Sequence, residues 1–114
     1  MKLPNSEHAS VVREKLTDYL FCVSHPDGGS KAEFFAKFGF RVEDWEVLAE
    51  ALRRHGARYE VVNTVDSAYG TRYAGDGPLE TPDGRTPLVR TVWIIEKGSA
   101  GPRLITAHPL EGPQ

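Results

Sequence analysis

The sequence is short of the features that announce common chemistries. Cys22 is the lone cysteine in 114 residues, so an intrachain disulfide is excluded. No apolar run approaches the roughly 20 residues that a membrane-crossing helix needs, and no signal-peptide pattern follows Met1. Neither charge sign dominates: the formal net charge is -2 and the pI is near 6.1. That balance argues against the broad basic footprint that holds duplex DNA or an anionic membrane, and leaves room for a compact phosphate pocket. The four histidines fall in no H-E-x-x-H pattern and the single cysteine in no C-x-x-C pair, so a metal site has little support. Neither a G-x-x-x-x-G-K-[ST] loop nor a G-x-S-x-G elbow is present. The expectation is a cytoplasmic domain without metal or cofactor.

With 39% hydrophobic and 26% charged residues, the chain reads as one ordinary domain over residues 1–114 with a modest core. Two halves are apparent. From about 10 to 56 the apolar spacing is helical: Val12, Leu16, Tyr19 and Leu20, then Ala32, Phe35 and Phe38, then Trp45, Leu48 and Leu52. Ser30 with Glu33 predicts a capping box, while Gly39 and Gly56 are placed to close the second and third helices in the left-handed conformation. From about 57 to 109 the pattern becomes "YEVVNTV", "YGTRYA", "PLVRTVWIIE" and "RLITAH", four strands with turns between them, including turns at Gly75-Asp76-Gly77 and Pro82-Asp83-Gly84. Residues 110–114 read as a flexible tail. Helices first and strands afterwards predict an α+β fold, with three N-terminal helices packed on one face of a roughly four-stranded antiparallel sheet.

Within "HPDGGSKAEFF" a cation occupies what the Ser30 cap makes the first helical position. Lys31 there is unfavourable by roughly 0.3–1 kcal/mol relative to an acid, because the helix start carries the positive end of the macrodipole. Two readings are open: Asp27 or Glu33 neutralises the lysine, or Gly28 and Gly29 open the backbone and Lys31 completes an anion site, most naturally for phosphate. His25 lies just ahead, biased toward an extended conformation by Pro26, where a neighbouring cation would keep it neutral as a base.

"VRTVWIIEKGSAGPRLITAHP" reads as a hairpin whose register decides which side chains meet. Pairing Glu96 with Pro102 sets Val92 opposite Thr106 and Arg90 opposite His108; a shift of one sets Trp93 beside Thr106 and Thr91 beside His108. Either way Thr106 and His108 share a face of the last strand. Trp93 and Cys22 read as core, and Arg72, beside Tyr73, suits cation–π packing or anion binding. His8 lies near a loose end, and His55 reads as a cation-capable group at a helix C-terminus.

The remaining cationic and imidazole-bearing set is His25, Lys31, Arg72, Arg90, Thr106 and His108. It suits metal-independent attack of an RNA 2'-OH on its adjacent phosphate, in which His25 and His108 transfer protons, Lys31, Arg72 and Arg90 hold phosphate, and Thr106 positions. DNA lacks the hydroxyl, so such chemistry is confined to RNA. The same residues equally suit a non-catalytic module that binds a ligand or a partner's carboxylate.

Over nearly its whole length, through "KLTDYLF", "HPDGGSKAEFFAKFGF", "YGTRYAGDGPLETPDGR" and "RTVWIIEKGSAGPRLITAHP", the chain resembles an uncharacterised bacterial family of domains of unknown function, found alone and at the tails of phage-derived or toxin-like proteins. Its layout also resembles small ribonuclease toxins of the barnase, EndoU, colicin E-five and RelE-like group. That resemblance implies a basic or imidazole residue from the helical half facing polar residues on the last strands, here His25 and Lys31 facing Arg90, Thr106 and His108. It also implies RNA, such as tRNA or mRNA, as substrate and a small antitoxin or immunity protein as partner. Two departures are the slight acidity and the histidine of "TAHP", where an aromatic is more usual.

Overall fold

The computed structural model describes residues 1–20 and 29–110; of residues 19, 20, 29 and 30 it describes the backbone alone. Three helices precede the sheet: α1 (Arg13–Lys15), α2 (Gly29–Lys37) and α3 (Trp45–Arg58). Four strands follow in chain order, β1 (Val61–Asp66), β2 (Gly70–Pro78), β3 (Leu88–Glu96) and β4 (Arg103–Pro109), and they lie in the same order in one antiparallel sheet. This is the expected α+β architecture.

The helices cover one face of the sheet because the two apolar stripes match. Leu48, Leu52 and Gly56 of α3 are buried, as are Val89, Thr91 and Trp93 on alternate positions of β3 and Leu104 and Ala107 of β4. Phe35 of α2, Phe40 just beyond it and Leu16 complete that core. Gly56 does not cap α3 as its sequence position suggests. It lies inside the helix, where a Cβ would come within 2.7 Å of the Trp93 ring, so it is glycine to let α3 approach β3.

Gly39, at φ +97°, does close α2 as expected. The start of α2 differs from expectation. The helix begins at Gly29, so Ser30 is already helical and Lys31 lies within the first turn rather than directly after a cap. The first predicted helix starts after Val12 rather than at it, and its character changes along its length. Val12 is extended, α1 has three residues, and a π-helical turn over Leu16–Leu20 continues it. The extended backbone ahead of it is engaged by the sheet, with Ser10 bonded to the start of β4 through Ser10 N–H to Pro102 O (2.9 Å) and Leu104 N–H to Ser10 O (3.1 Å).

Opposite the helices, the sheet presents an open face. Two one-residue slips shape it. The register of β1 against β2 shifts between Val61 and Asn63, and that of β4 against β3 shifts between the pairs Val92–Thr106 and Trp93–Leu104. Side chains alternate at period two, so each bulge turns the following residues onto the other face. The first brings Asn63 onto the open face, where an unbroken strand would turn it toward the helices; the second keeps Thr106 on the open face while turning Leu104 into the core opposite Trp93.

Candidate functional site

Arg90 is the centre of the open face. Its guanidinium donates to the Asp76 carboxylate in a bidentate pair, Nε to Oδ1 at 2.7 Å and Nη2 to Oδ2 at 2.9 Å. Asp76 is directly across the β2–β3 ladder from Arg90, and His108 is directly across the β3–β4 ladder. The expected Gly75-Asp76-Gly77 turn is instead part of β2. Gly77 faces the helices under Tyr59, where a Cβ would lie within 2.5 Å of the phenol ring, so here the glycine makes room for an aromatic instead of a turn. That continuation of the strand is what carries Asp76 to Arg90, and glycine spacing hid the residue from sequence reasoning.

The Asp76 carboxyl is held below the usual carboxylate range. Hydrogen bonds from Arg90 are the leading cause, partial burial opposes them, and the charge of Arg90 adds to the lowering. Arg90 retains donors beyond those given to Asp76, since a guanidinium carries five N–H groups. An anion can therefore share it.

Thr106 lies across from Val92 on the same face, and Lys31 reaches it from α2, its Nζ donating to Thr106 Oγ1 at 3.1 Å. The lysine thus links the start of α2 to β4. Arg72 is exposed on β2, across from Ile94, and makes no ion pair with any described residue. A cavity of about 230 Å³ opens here, lined by Asn63, Val65, Arg72, Arg90, Val92 and His108 among others. Its floor, Ala74 and Val92, is apolar.

Of the sequence-derived set, Arg72, Arg90, Thr106 and His108 lie on one face of the sheet, and Lys31 is bonded to Thr106. The first of the two registers considered holds from Val89 to Val92, and the bulge shifts the remainder by one. His25 and Cys22 lie outside the described residues. Asn63 and Asp76 were not singled out: the first reaches the face through a bulge, the second through glycines that read as a turn. Among the described residues, no group of three or more His, Cys, Asp or Glu side chains is placed to hold a metal.

His55 departs from its expected role. It is only 3% exposed and sits under the sheet rather than in solvent at the helix end. Its Nε2 lies 2.8 Å from Val89 O and 3.0 Å from Gly77 O, both acceptors, so Nε2 carries the hydrogen. Trp93 Nε1 donates to Thr91 Oγ1 at 3.0 Å, and the Thr91 hydroxyl, 3.0 Å from Nδ1, donates its own hydrogen to it. This network fixes a neutral imidazole. Burial pushes the His55 pKa down, against hydrogen bonds to Gly77 and Val89 that act the other way.

A larger cavity, about 470 Å³, lies between α3 and the β2–β3 connection, lined by Phe40, Val47, Glu50, Arg54, Glu80 and Pro82 among others. Most of its charges are spent on one another. Arg54 pairs with Glu50 at 3.4 Å and with Glu80 at 3.9 Å, and Arg58 pairs with Glu80 at 3.3 Å. No imidazole lines it, and size alone does not make it the reactive site.

The family described as domain of unknown function (DUF6883) matches residues 2–111. The chain belongs to that family. No curated protein matches this DUF6883 chain. Among solved structures, it is similar to a chain of a contact-dependent growth inhibition toxin–immunity protein complex from Klebsiella pneumoniae 342, with a TM-score of 0.70 and 19% identity over 95% of this chain and 98% of that one. At that identity the likeness is one of fold. In the described part of the DUF6883 chain no helix is long and apolar enough to cross a membrane.

Proposed function

We propose that this DUF6883 domain is a metal-independent, ribonuclease-like toxin domain that cleaves RNA in the cytoplasm and is held in check by an immunity or antitoxin protein. The observation that carries this reading is the convergence on one open face of His108, Arg90, Arg72 and Thr106, with Lys31 bonded to Thr106. The likeness to a chain from a toxin–immunity complex supports the biological setting.

The chemistry requires two proton transfers and a site for negative charge. The 2'-oxygen attacks the adjacent phosphorus as its proton passes to an imidazole, the P–O5' bond breaks, and a second imidazole protonates the departing 5'-oxygen. The products are a 2',3'-cyclic phosphate and a free 5'-hydroxyl. His108 serves one transfer and His25, just ahead of α2 in the sequence, the other. Each transfer is typically worth about 10²- to 10⁴-fold. Lys31, Arg90 and Arg72 stabilise the extra charge on phosphorus, and Thr106 orients the lysine.

The bidentate hold of Asp76 on Arg90 favours a second reading, a binding module in which the open face receives a partner instead of a substrate. Incubation of the purified domain with transfer RNA and total RNA in EDTA separates the two. The toxin reading expects cleavage with 2',3'-cyclic phosphate ends, and its loss in His25→Ala and Lys31→Ala. Intact RNA at high concentrations of folded protein points to the module.

A further inference from the structure

The β1 edge bears on the same face. Val61 pairs with Gly75 and Asn63 with Ala74, so Val62 is the extra residue of a bulge at the edge of the sheet. In an unbroken strand Val62 would oppose Ala74 and Asn63 would turn toward the helices. The bulge instead delivers an amide to the open face, beside a cavity whose floor is Ala74 and Val92 and whose far side is Arg90 and His108. Bulges beside sites re-aim single side chains in this way.

The cavity's chemistry is divided. At about 230 Å³ it falls below the roughly 300–1,000 Å³ of pockets for drug-sized ligands. Its volume and flat apolar floor suit one planar ring. The cations flank the floor from opposite ends, Arg72 one row above Ala74 and Val92 and Arg90 one row below, and Asn63 adjoins Ala74 at the β1 edge. A primary amide offers an acceptor and a donor pair side by side, the pattern needed to meet the edge of a nucleobase. Single-stranded RNA is read through such unstacked base edges, whereas in an A-form duplex the Watson–Crick edges are paired and the major-groove edges lie too deep for side chains.

We propose that this cavity is a base-recognition subsite, in which one unstacked nucleobase rests on Ala74 and Val92, Asn63 hydrogen-bonds its edge, and Arg72 and Arg90 hold the phosphates on either side of it. The proposal rests on the reading of the open face as an RNA site and adds the substrate class: single-stranded RNA, with selectivity at one position. Asn63 is then the specificity-determining residue, and the β1 bulge is the device that presents it.

Two readouts keep this subsite and the nuclease reading separable. Titration of the domain with each of the four nucleoside 3'-monophosphates, followed by NMR, reports binding without cleavage. The Asn63 side-chain amide should shift with one or two of the four, and Asn63→Ala should weaken the preferred nucleotide at least tenfold toward the level of the others. Cleavage maps on a single-stranded RNA should show a preferred base at one position. Asn63→Ala flattens that preference, and Asn63→Asp, an acceptor without donors, moves it toward bases presenting an amino group. Thr64→Ala, on the opposite face of β1, should leave the base preference in place. Nucleotide binding that depends on Asn63 in a protein that cuts no RNA keeps the subsite and overturns the nuclease. Cleavage whose base preference is unchanged in both Asn63 variants overturns the subsite and keeps the nuclease. If no nucleotide binds and no RNA is cut, both fall.

Discussion

His55 and His108 lie on opposite faces of the same sheet, on either side of β3. His55 is sealed between α3 and the sheet, with both ring nitrogens assigned by Val89 O, Gly77 O and the Thr91 hydroxyl. His108 is half-buried on the open face, across from Arg90, with its Nδ1 3.3 Å from the Pro109 carbonyl. One imidazole is locked neutral by its surroundings, and the other stands open to solvent beside Arg90. The contrast shows why a histidine's place in a sequence says little about its chemistry. The partners on the face decide it.

The two faces should therefore fail in different ways. The largest separation is in rate. His108→Ala should reduce RNA cleavage by about 10²- to 10⁴-fold with little change in melting temperature. His55→Gln should lower stability while the folded fraction cleaves at nearly the parental rate, as single-turnover assays would show. A comparable rate loss in both would dissolve the distinction.

Stability sharpens the comparison from the other side. His55→Ala removes a buried ring and strips hydrogen bonds from two buried carbonyls, an expected loss of about 2–4 kcal/mol in urea unfolding. Gly56→Ala forces a methyl against the Trp93 ring, where the built Cβ lies 2.7 Å away, and should cost about 1–3 kcal/mol.

A pH effect follows from the lowered His55 pKa. The folded state resists protonation of this ring, whereas the unfolded chain accepts it near the ordinary value of 6.5. Protons thus favour unfolding: the stability is fully present above about pH 6.5 and declines as the pH falls from there toward the folded-state value. Urea unfolding between pH 8 and 5 should show this decline, and His55→Gln should remove it. Asp76, Asp83 and Glu60 have lowered pKa values, so their contribution is fully present above the ordinary carboxylate range and is lost only as the pH falls through and below it.

The smallest effect belongs to Asp76. Its pair with Arg90 is partly exposed on both sides, so Asp76→Asn should change stability by only about 0–1 kcal/mol. Its use is to hold Arg90 in one orientation, and the variant should raise KM for RNA more than it alters stability.

Much of this arrangement is written in the sequence. The apolar alternation of "VRTVWIIE" and "RLITAH" places β3 and β4, and their pairing brings Arg90 opposite His108 whether or not the far half slips. What sequence could not supply was the pair of bulges, since a one-residue slip leaves composition and periodicity unchanged while reversing which residues face outward. Gly75 and Gly77 misled for a related reason. Glycine marks a turn in most contexts, and here Gly77 answers to the bulk of Tyr59 at the end of α3, a contact between residues on different elements. His55 was misread because its partners come from β2 and β3, far along the chain from α3.

The account turns on the open face as the surface that meets RNA. The most direct test is an amide NMR map of the domain with a short 2'-O-methyl RNA, which can bind but lacks the attacking hydroxyl. The account predicts shifts concentrated at Lys31, Asn63, Arg90, Val92, Thr106 and His108. Shifts gathered instead along the cleft of Val47, Glu50 and Glu80, or no shifts at millimolar RNA, would contradict it.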